Sequence, residues 1–161
     1  RVAVIDDDGV PKPPGEPGHL VIGNDHPGLT LGYYRDSERW AGVNRGGWYY
    51  TKDFASVDEE GYFWYVSRSD DLIKSRGYMI SPREVESALM AHAAVLEAGV
   101  VGIPDPVIGQ KIAAYVTLKP RVAASPDLAE DLKAHARRVI APFKAPQEVT
   151  FVPELPKTLT L

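Results

Sequence analysis

The sequence predicts an α+β fold: a small antiparallel β subdomain followed by a unit in which helices pack on a second small sheet. Three observations predict it. In the first half, short apolar runs alternate with turn residues, the pattern of hairpins and not of helices. In the second half, Ser81-Pro82 and Ser125-Pro126 each open a run with apolar residues at helical spacing. Strand-like runs lie between and after those two helices.

The first half is punctuated by Asp8-Gly9, a Pro/Gly cluster from Pro11 to Gly18, Asn24-Asp25, Arg45-Gly46-Gly47 and Glu60-Gly61. Strands are predicted over Val2–Ile5, His19–Ile22, Trp48–Thr51, Ala55–Val57 and Tyr62–Ser67. Tyr62-Phe-Trp-Tyr-Val66 is apolar throughout, so burial on both faces is expected there. Trp40, Trp48 and Trp64 read as core residues.

The second half begins near Ser69–Asp71, giving units of residues 1–69 and 70–161. Ser81-Pro-Arg-Glu84 has the form of a capping box, with Ser81 capping, Pro82 in the first turn and Glu84 reaching back. Val85, Ala88 and Leu89 form one apolar stripe. Val95–Ile103 and Lys111–Leu118 read as strands joined by Pro104-Asp-Pro-Val-Ile-Gly109. The second helix turns Leu128, Leu132 and Val139 inward and carries Arg137 and Arg138 near its end, where the helix dipole favours cations. Pro142 and Pro146 follow it, and Glu148–Val152 forms a last strand. Such a small sheet with helices packed against it is the expected layer arrangement.

Composition excludes several classes of function. Of 161 residues, 44% are hydrophobic, which suits a folded core and not a disordered chain. The net charge of −4 argues against a general affinity for nucleic acid or anionic membrane. There is no cysteine, hence no disulfide, thiolate zinc site or cysteine nucleophile. The most apolar stretch, Ala88 to Pro104, contains His92 and Glu97 and falls short of the roughly 20 apolar residues of a membrane span. A cytoplasmic setting fits this composition. Arg1 opens a strand-and-turn pattern, not a signal peptide, and reads as an internal residue of a longer protein.

The chemistry-bearing residues concentrate between Thr51 and Glu86. Asp53 follows a strand, where a carboxylate either accepts hydrogen bonds from a ribose diol or simply shapes a turn. Arg68 either reaches ribose or phosphate oxygens or pairs with Asp70 or Asp71. Asp70 and Asp71 are adjacent and point apart, so they suit a hinge or turn better than a shared-proton dyad. Lys74 can hold a phosphate or carboxylate as a point charge, or sit solvated. Gly77 interrupts a strand-like stretch, which signals a bulge or a close approach to the backbone. The four histidines show no metal-ligand spacing, and no Walker loop, G-x-G-x-x-G, His-Glu-x-x-His or nucleophile elbow is present. His92 and His135 read as helix residues.

Taken in order, these segments resemble the acyl-adenylate-forming (AMP-binding) enzymes. Trp48-Tyr-Tyr-Thr-Lys-Asp53 resembles the family's ribose-binding segment, and Arg68-Ser-Asp70 its ribose-contacting arginine and hinge. Lys74-Ser-Arg-Gly77-Tyr, Ile80-Ser-Pro-Arg-Glu-Val-Glu86, Gly102-Ile-Pro-Asp105 with Gly109, and Leu155-Pro-Lys-Thr-Leu-Thr160 follow in the family's order. The chain is most similar to the acetyl- and medium-chain acyl-CoA synthetase branch. The resemblance implies that residues 1–69 are the last β subdomain of a large N-terminal adenylation domain, and residues 70–161 the mobile C-terminal α+β domain. It implies a ligase that forms acyl-AMP from a carboxylic acid and ATP with Mg²⁺, then passes the acyl group to the CoA thiol, as in fatty acid metabolism. It implies that Asp53, Arg68 and Lys74 serve ATP or AMP, that Arg76, Gly77 and Tyr78 line the CoA path, and that Asp70 is the hinge. Arg137, Arg138 and Lys144 are further candidates for CoA phosphates.

Three departures from the family pattern stand out. Lys52 replaces the usual glycine before the ribose-binding aspartate. Met79 stands where many relatives carry arginine or glutamine, and a thioether cannot donate a hydrogen bond. The catalytic lysine is expected beyond Leu161, so no catalytic residue is assigned within the chain, and no metal ligand either. The phosphate loop and acyl pocket belong to the rest of the N-terminal domain, which is the expected partner; the chain alone is expected to be inactive. A domain loading a carrier protein, or a noncatalytic module retaining the fold, are the alternatives.

Overall fold

Val2–Ile5 (β1) pairs antiparallel with Gly18–Gly23 (β2), and β2 pairs antiparallel with the long strand Trp48–Val57 (β4). Helix α1 (Ser37–Val43) leads into the two-residue strand Asn44–Arg45 (β3), which pairs with the start of β4. Phe63–Arg68 (β5) pairs with the second half of β4. These strands make the sheet of the first of two units into which the chain divides, Arg1–Asp70 and the chain from Asp71 onward. This computed structural model describes residues 1–157.

In the first unit, Ile5, Val21 and Ala55 are the most deeply buried apolar side chains. The two strands expected over Trp48–Thr51 and Ala55–Val57 are one strand: the pairing with β2 shifts register opposite Thr51–Asp53 and resumes at Phe54, while Asp53 pairs with Arg68 of β5. The interruption survives locally: Lys52 is left-handed at φ 68°, and the β4–β5 register slips between Phe54 and Ala55. Helix α1 was not expected. Asp36 caps it by accepting from the Arg39 N–H at 3.1 Å, but only Val43 on it is buried, so it carries almost no apolar stripe.

Burial of Tyr62–Val66 is not observed. Tyr62, Phe63, Trp64 and Tyr65 are 68%, 46%, 59% and 52% exposed. β5 is apolar on both faces, but among the described strands it pairs with β4 at the sheet edge. Trp64 is therefore not a core residue; its indole N–H instead donates to Asp58 Oδ2 at 2.7 Å.

In the second unit, Ile73–Ser75 (β6) and Tyr78–Ile80 (β7) form a hairpin, followed by α2 (Pro82–Met90). Val95–Asp105 (β8) and Gly109–Leu118 (β9) form a long antiparallel pair. Helix α3 (Pro126–Val139), a short 3-10 helix (Pro142–Lys144) and Glu148–Phe151 (β10) complete the described chain. β9 is central: β10 lies parallel to it, while β8 and β6 pair with it antiparallel. Val85 and Leu89 of α2 and Leu132 and Ala136 of α3 pack with Val100, Ile112, Ala114 and Val116 in one core. Each is buried, and removing such area from water stabilises by roughly 25 cal/mol per Å².

Four local expectations need correction. Ser81 occupies the N-cap position, but its side chain makes no cap hydrogen bond, and Glu84 bonds the Lys144 ammonium with both oxygens instead. Val139 is exposed, because α3 ends there and the following Ile140 packs on the core in its place. His92 lies just beyond α2, not on it. Gly77 is not in a bulge: Arg76 and Gly77, at φ 53° and 81°, are the two turn residues between paired Ser75 and Tyr78. Two successive left-handed residues are what a two-residue hairpin of this twist requires.

Candidate functional site

In the first unit, the β4–β5 pairing places Asp53 directly opposite Arg68. The Arg68 Nη1 donates to Asp53 Oδ1 at 3.4 Å, while its Nε and Nη2 donate to Asp70 Oδ1 and Oδ2 at 3.2 and 3.4 Å. Lys52 Nζ lies 3.7 Å from Asp70 Oδ2, and the Lys52 carbonyl accepts from the Ser69 N–H at 2.7 Å. Of the two readings of Arg68, the pairing with Asp70 is observed, and the same guanidinium also contacts Asp53.

The charges in this cluster are half-exposed, so each pair alone stabilises the fold only modestly. Asp70 is nonetheless held below the usual carboxylate range, first by the Arg68 hydrogen bond and further by the field of Arg68 and Lys52. A lowered carboxylate pKa means the contact is at full strength above the ordinary aspartate range, and is lost only as pH falls through the lowered value. Asp70 is therefore ionised and gripped at neutral pH. The Arg68–Asp53 contact, at 3.4 Å, equals the longer of the two Asp70 contacts.

In the second unit, the β6–β7 hairpin brings Lys74, Arg76, Gly77 and Tyr78 together. Its position is fixed by the β8–β9 turn: the Arg76 N–H donates to the Ile108 carbonyl at 2.8 Å, and the Lys74 N–H to Gln110 Oε1 at 2.7 Å. Lys74 pairs across the hairpin with Met79, and both are exposed. A Cβ built on Gly77 meets nothing within 4 Å, so the glycine serves the left-handed turn and leaves open space above it. Tyr78 stacks on Phe143, with ring centroids 4.3 Å apart and planes at 30°. Sequence reasoning missed Phe143, because nothing in the sequence pairs it with Tyr78. Lys144 is engaged by Glu84 at 2.7 Å, so as a phosphate ligand it would have to leave a carboxylate.

Of the last motif, Leu155, Pro156 and Lys157 are described, and Lys157 Nζ meets Glu97 Oε1 at 3.0 Å. Thr158, Leu159 and Thr160 lie outside the described residues. Among the described residues no group of three or more His, Cys, Asp or Glu side chains could hold a metal ion. Among the same residues, no helix is long and apolar enough to cross a membrane.

Comparison with known proteins decides the family. A human acyl-coenzyme A synthetase, ACSM5, mitochondrial, is 43% identical over 99% of this chain. The chain belongs to the acyl-adenylate-forming (AMP-binding) enzymes. Residues 84–160 match the AMP-binding enzyme C-terminal domain. The acetyl-coenzyme A synthetase of Pyrobaculum aerophilum is 42% identical over 98% of the chain. Among solved structures, an ATP-bound RpMatB–BxBclM chimera superposes with a TM-score of 0.89 at 34% identity over 99% of the chain. The chain spans only 28%, 24% and 31% of those three proteins, respectively.

Proposed function

We propose that this chain is the C-terminal portion of an AMP-forming acyl-CoA ligase, which activates a carboxylic acid with ATP as acyl-AMP and transfers the acyl group to the CoA thiol. The observation that carries the reading is the Asp53–Arg68–Asp70 cluster, in a chain whose relatives are named acyl-CoA synthetases. In this reading residues 1–69 end the large domain and residues 70–161 form the mobile domain. Asp53 accepts from the ribose hydroxyls, Arg68 donates to the same nucleotide, and Lys74 serves a phosphate in one domain position.

Asp70 is the hinge. Arg68 ties it to the nucleotide-binding aspartate, so nucleotide contacts and hinge geometry share one guanidinium. A hinge of this kind passes between discrete states by changing a few backbone angles. The Arg76–Gly77 turn and Tyr78 line the route of the CoA arm, with the open space above Gly77 admitting a chain close to the backbone. Mg²⁺ accompanies ATP on the part of the enzyme outside this chain, and the adenylation lysine follows Leu161 in the parent. The large domain is also the partner that covers Tyr62–Tyr65, four consecutive exposed aromatic side chains. The proposal includes a cytoplasmic location, where ATP and CoA are supplied.

The test is acid-dependent ATP–pyrophosphate exchange by the full-length parent across short, medium and aromatic carboxylic acids, followed by thioester analysis with CoA. Exchange with one acid class and thioester formation are expected. Exchange without CoA thioester would shift the reading to carrier-protein loading, and no exchange with any acid would replace it with a noncatalytic module.

A further inference from the structure

The second sheet has two faces. One carries the helical core, into which Val100, Ile112, Ala114 and Val116 point. Strand alternation puts Glu97, Gly99 and Val101 of β8, with Tyr115 of β9, on the opposite face. The chain leaving β10 turns back over that face. Val152, Leu155 and Pro156 wall a groove of about 470 Å³ whose floor includes Gly99, Val101 and Tyr115.

This returning segment, Val152–Lys157, is pinned at three points. At its start the Val152 N–H donates to the Val116 carbonyl at 3.0 Å. In its middle Leu155 sits over Gly99: a Cβ built there lies 3.5 Å from Leu155 Cδ2, so a longer side chain would need the leucine's space. Gly99 is not in the left-handed region, so the backbone does not require glycine there; a Cβ would already touch Leu155 at van der Waals distance, and only a longer side chain would displace it. At its end Lys157 pairs with Glu97 at 3.0 Å. Glu97 is a fixed anchor, because its N–H donates to Thr117 Oγ1 and its carbonyl accepts from the same hydroxyl at the bulge in β8. Pro153 and Pro156 have no N–H to give, so the segment depends on these few contacts.

We propose that Gly99 and Glu97 are positioning residues for adenylation: they seat Val152–Lys157 on the sheet and so hold Lys157 in place. The inference rests on the reading of the parent as an acyl-CoA ligase whose adenylation lysine follows this segment. Among the described residues, Glu97 bonds Thr117 and Lys157, and neither Glu97 nor Gly99 belongs to the CoA-side hairpin described above. Their effect is therefore confined to the half-reaction that uses this segment.

The experiment uses the full-length parent and its Glu97→Lys, Lys157→Glu, Glu97→Lys/Lys157→Glu, Gly99→Leu and Gly99→Leu/Leu155→Ala variants. Three quantities are read: acid-dependent ATP–pyrophosphate exchange, thioester formation from supplied acyl-adenylate and CoA, and melting temperature. Each single charge reversal should slow exchange about fivefold, and the swapped pair should recover to within about twofold of wild type. Gly99→Leu should slow exchange about tenfold, with partial recovery when Leu155→Ala vacates the space. Thioester formation from acyl-adenylate should stay within about twofold throughout. Equal loss in both half-reactions, no recovery in the swapped pair, or unchanged exchange in an active parent would each overturn the positioning role. A wild-type parent with no exchange at all would overturn the ligase reading and this inference with it.

Discussion

Arg68 grips Asp70 with two nitrogens, at 3.2 and 3.4 Å, while its third faces Asp53 at 3.4 Å. One planar fork thus spans the residue read as ribose acceptor and the residue read as hinge. Lysine keeps the charge and loses the fork. In the parent, Arg68→Lys should raise the KM for ATP about tenfold, and Arg68→Ala more, with the acid KM little changed. Initial rates at varied ATP check this; an unchanged ATP dependence in Arg68→Ala would remove Arg68 from the nucleotide site.

Lys52 holds φ 68° in the middle of a strand, a conformation that costs a non-glycine residue roughly 1–2 kcal/mol. Glycine removes that strain, but it adds entropy to the unfolded chain and deletes the 3.7 Å contact to Asp70. The opposing effects should leave Lys52→Gly within about 0.5 kcal/mol of wild type. Lys52→Val, stiff at the β-carbon, should lose about 1 kcal/mol or more. Denaturant melts of the chain decide it. Equal stability of the glycine and valine variants would mean the backbone relaxes out of the left-handed region.

What the sequence disclosed follows from how local each cause is. The strands around Gly46-Gly47 and Gly61 were legible because left-handed turns recruit glycine, and all three have positive φ. Helices α2 and α3 were legible because Ser-Pro starts and apolar stripes coincide. Helix α1 was not, since a single buried residue makes no stripe. The β6–β7 turn was half-hidden because an arginine occupies a left-handed position that asparagine or glycine usually fills. Exposure of Trp64 and its neighbours depends on what packs on β5, which composition does not encode. Asp53, Arg68 and Asp70 were legible as candidates. That Arg68 would serve both carboxylates depended on register, and the Tyr78–Phe143 stack on tertiary packing.

Ser75 is 1% exposed on β6, and its hydroxyl finds no hydrogen-bond partner among the described residues. A buried hydroxyl left unpaired costs about 1–3 kcal/mol, whereas the methyl of alanine carries no such penalty. Ser75→Ala should therefore be neutral or stabilise the chain by up to about 1 kcal/mol, against the usual trend of buried truncations. Urea melts test it. A clear loss of stability would show that the hydroxyl is satisfied in solution, by an ordered water or a rotated carbonyl contact.

Asp58 organises the β4–β5 hairpin. Its Oδ1 accepts from the N–H groups of Glu60 and Tyr62 at 3.1 and 2.8 Å, and its Oδ2 from the Trp64 indole at 2.7 Å. The indole hydrogen bond, followed by the backbone donors, holds the Asp58 carboxyl below its ordinary value. A depressed carboxylate pKa stabilises the fold above the unfolded value, about 4, and that contribution disappears as pH falls through the lowered folded value. As pH falls below the ordinary aspartate range the wild-type hairpin should therefore lose protection, and the Trp64 indole proton signal should move with a midpoint below the ordinary aspartate value. Asp58→Asn retains one acceptor oxygen and cannot ionise. It should start with a melting temperature a few degrees lower near neutrality and show a flatter acid dependence, which isolates Asp58 from the other carboxylates. An indole signal that titrates identically in wild type and Asp58→Asn would assign the shift to another acid and leave the hairpin held by its backbone alone.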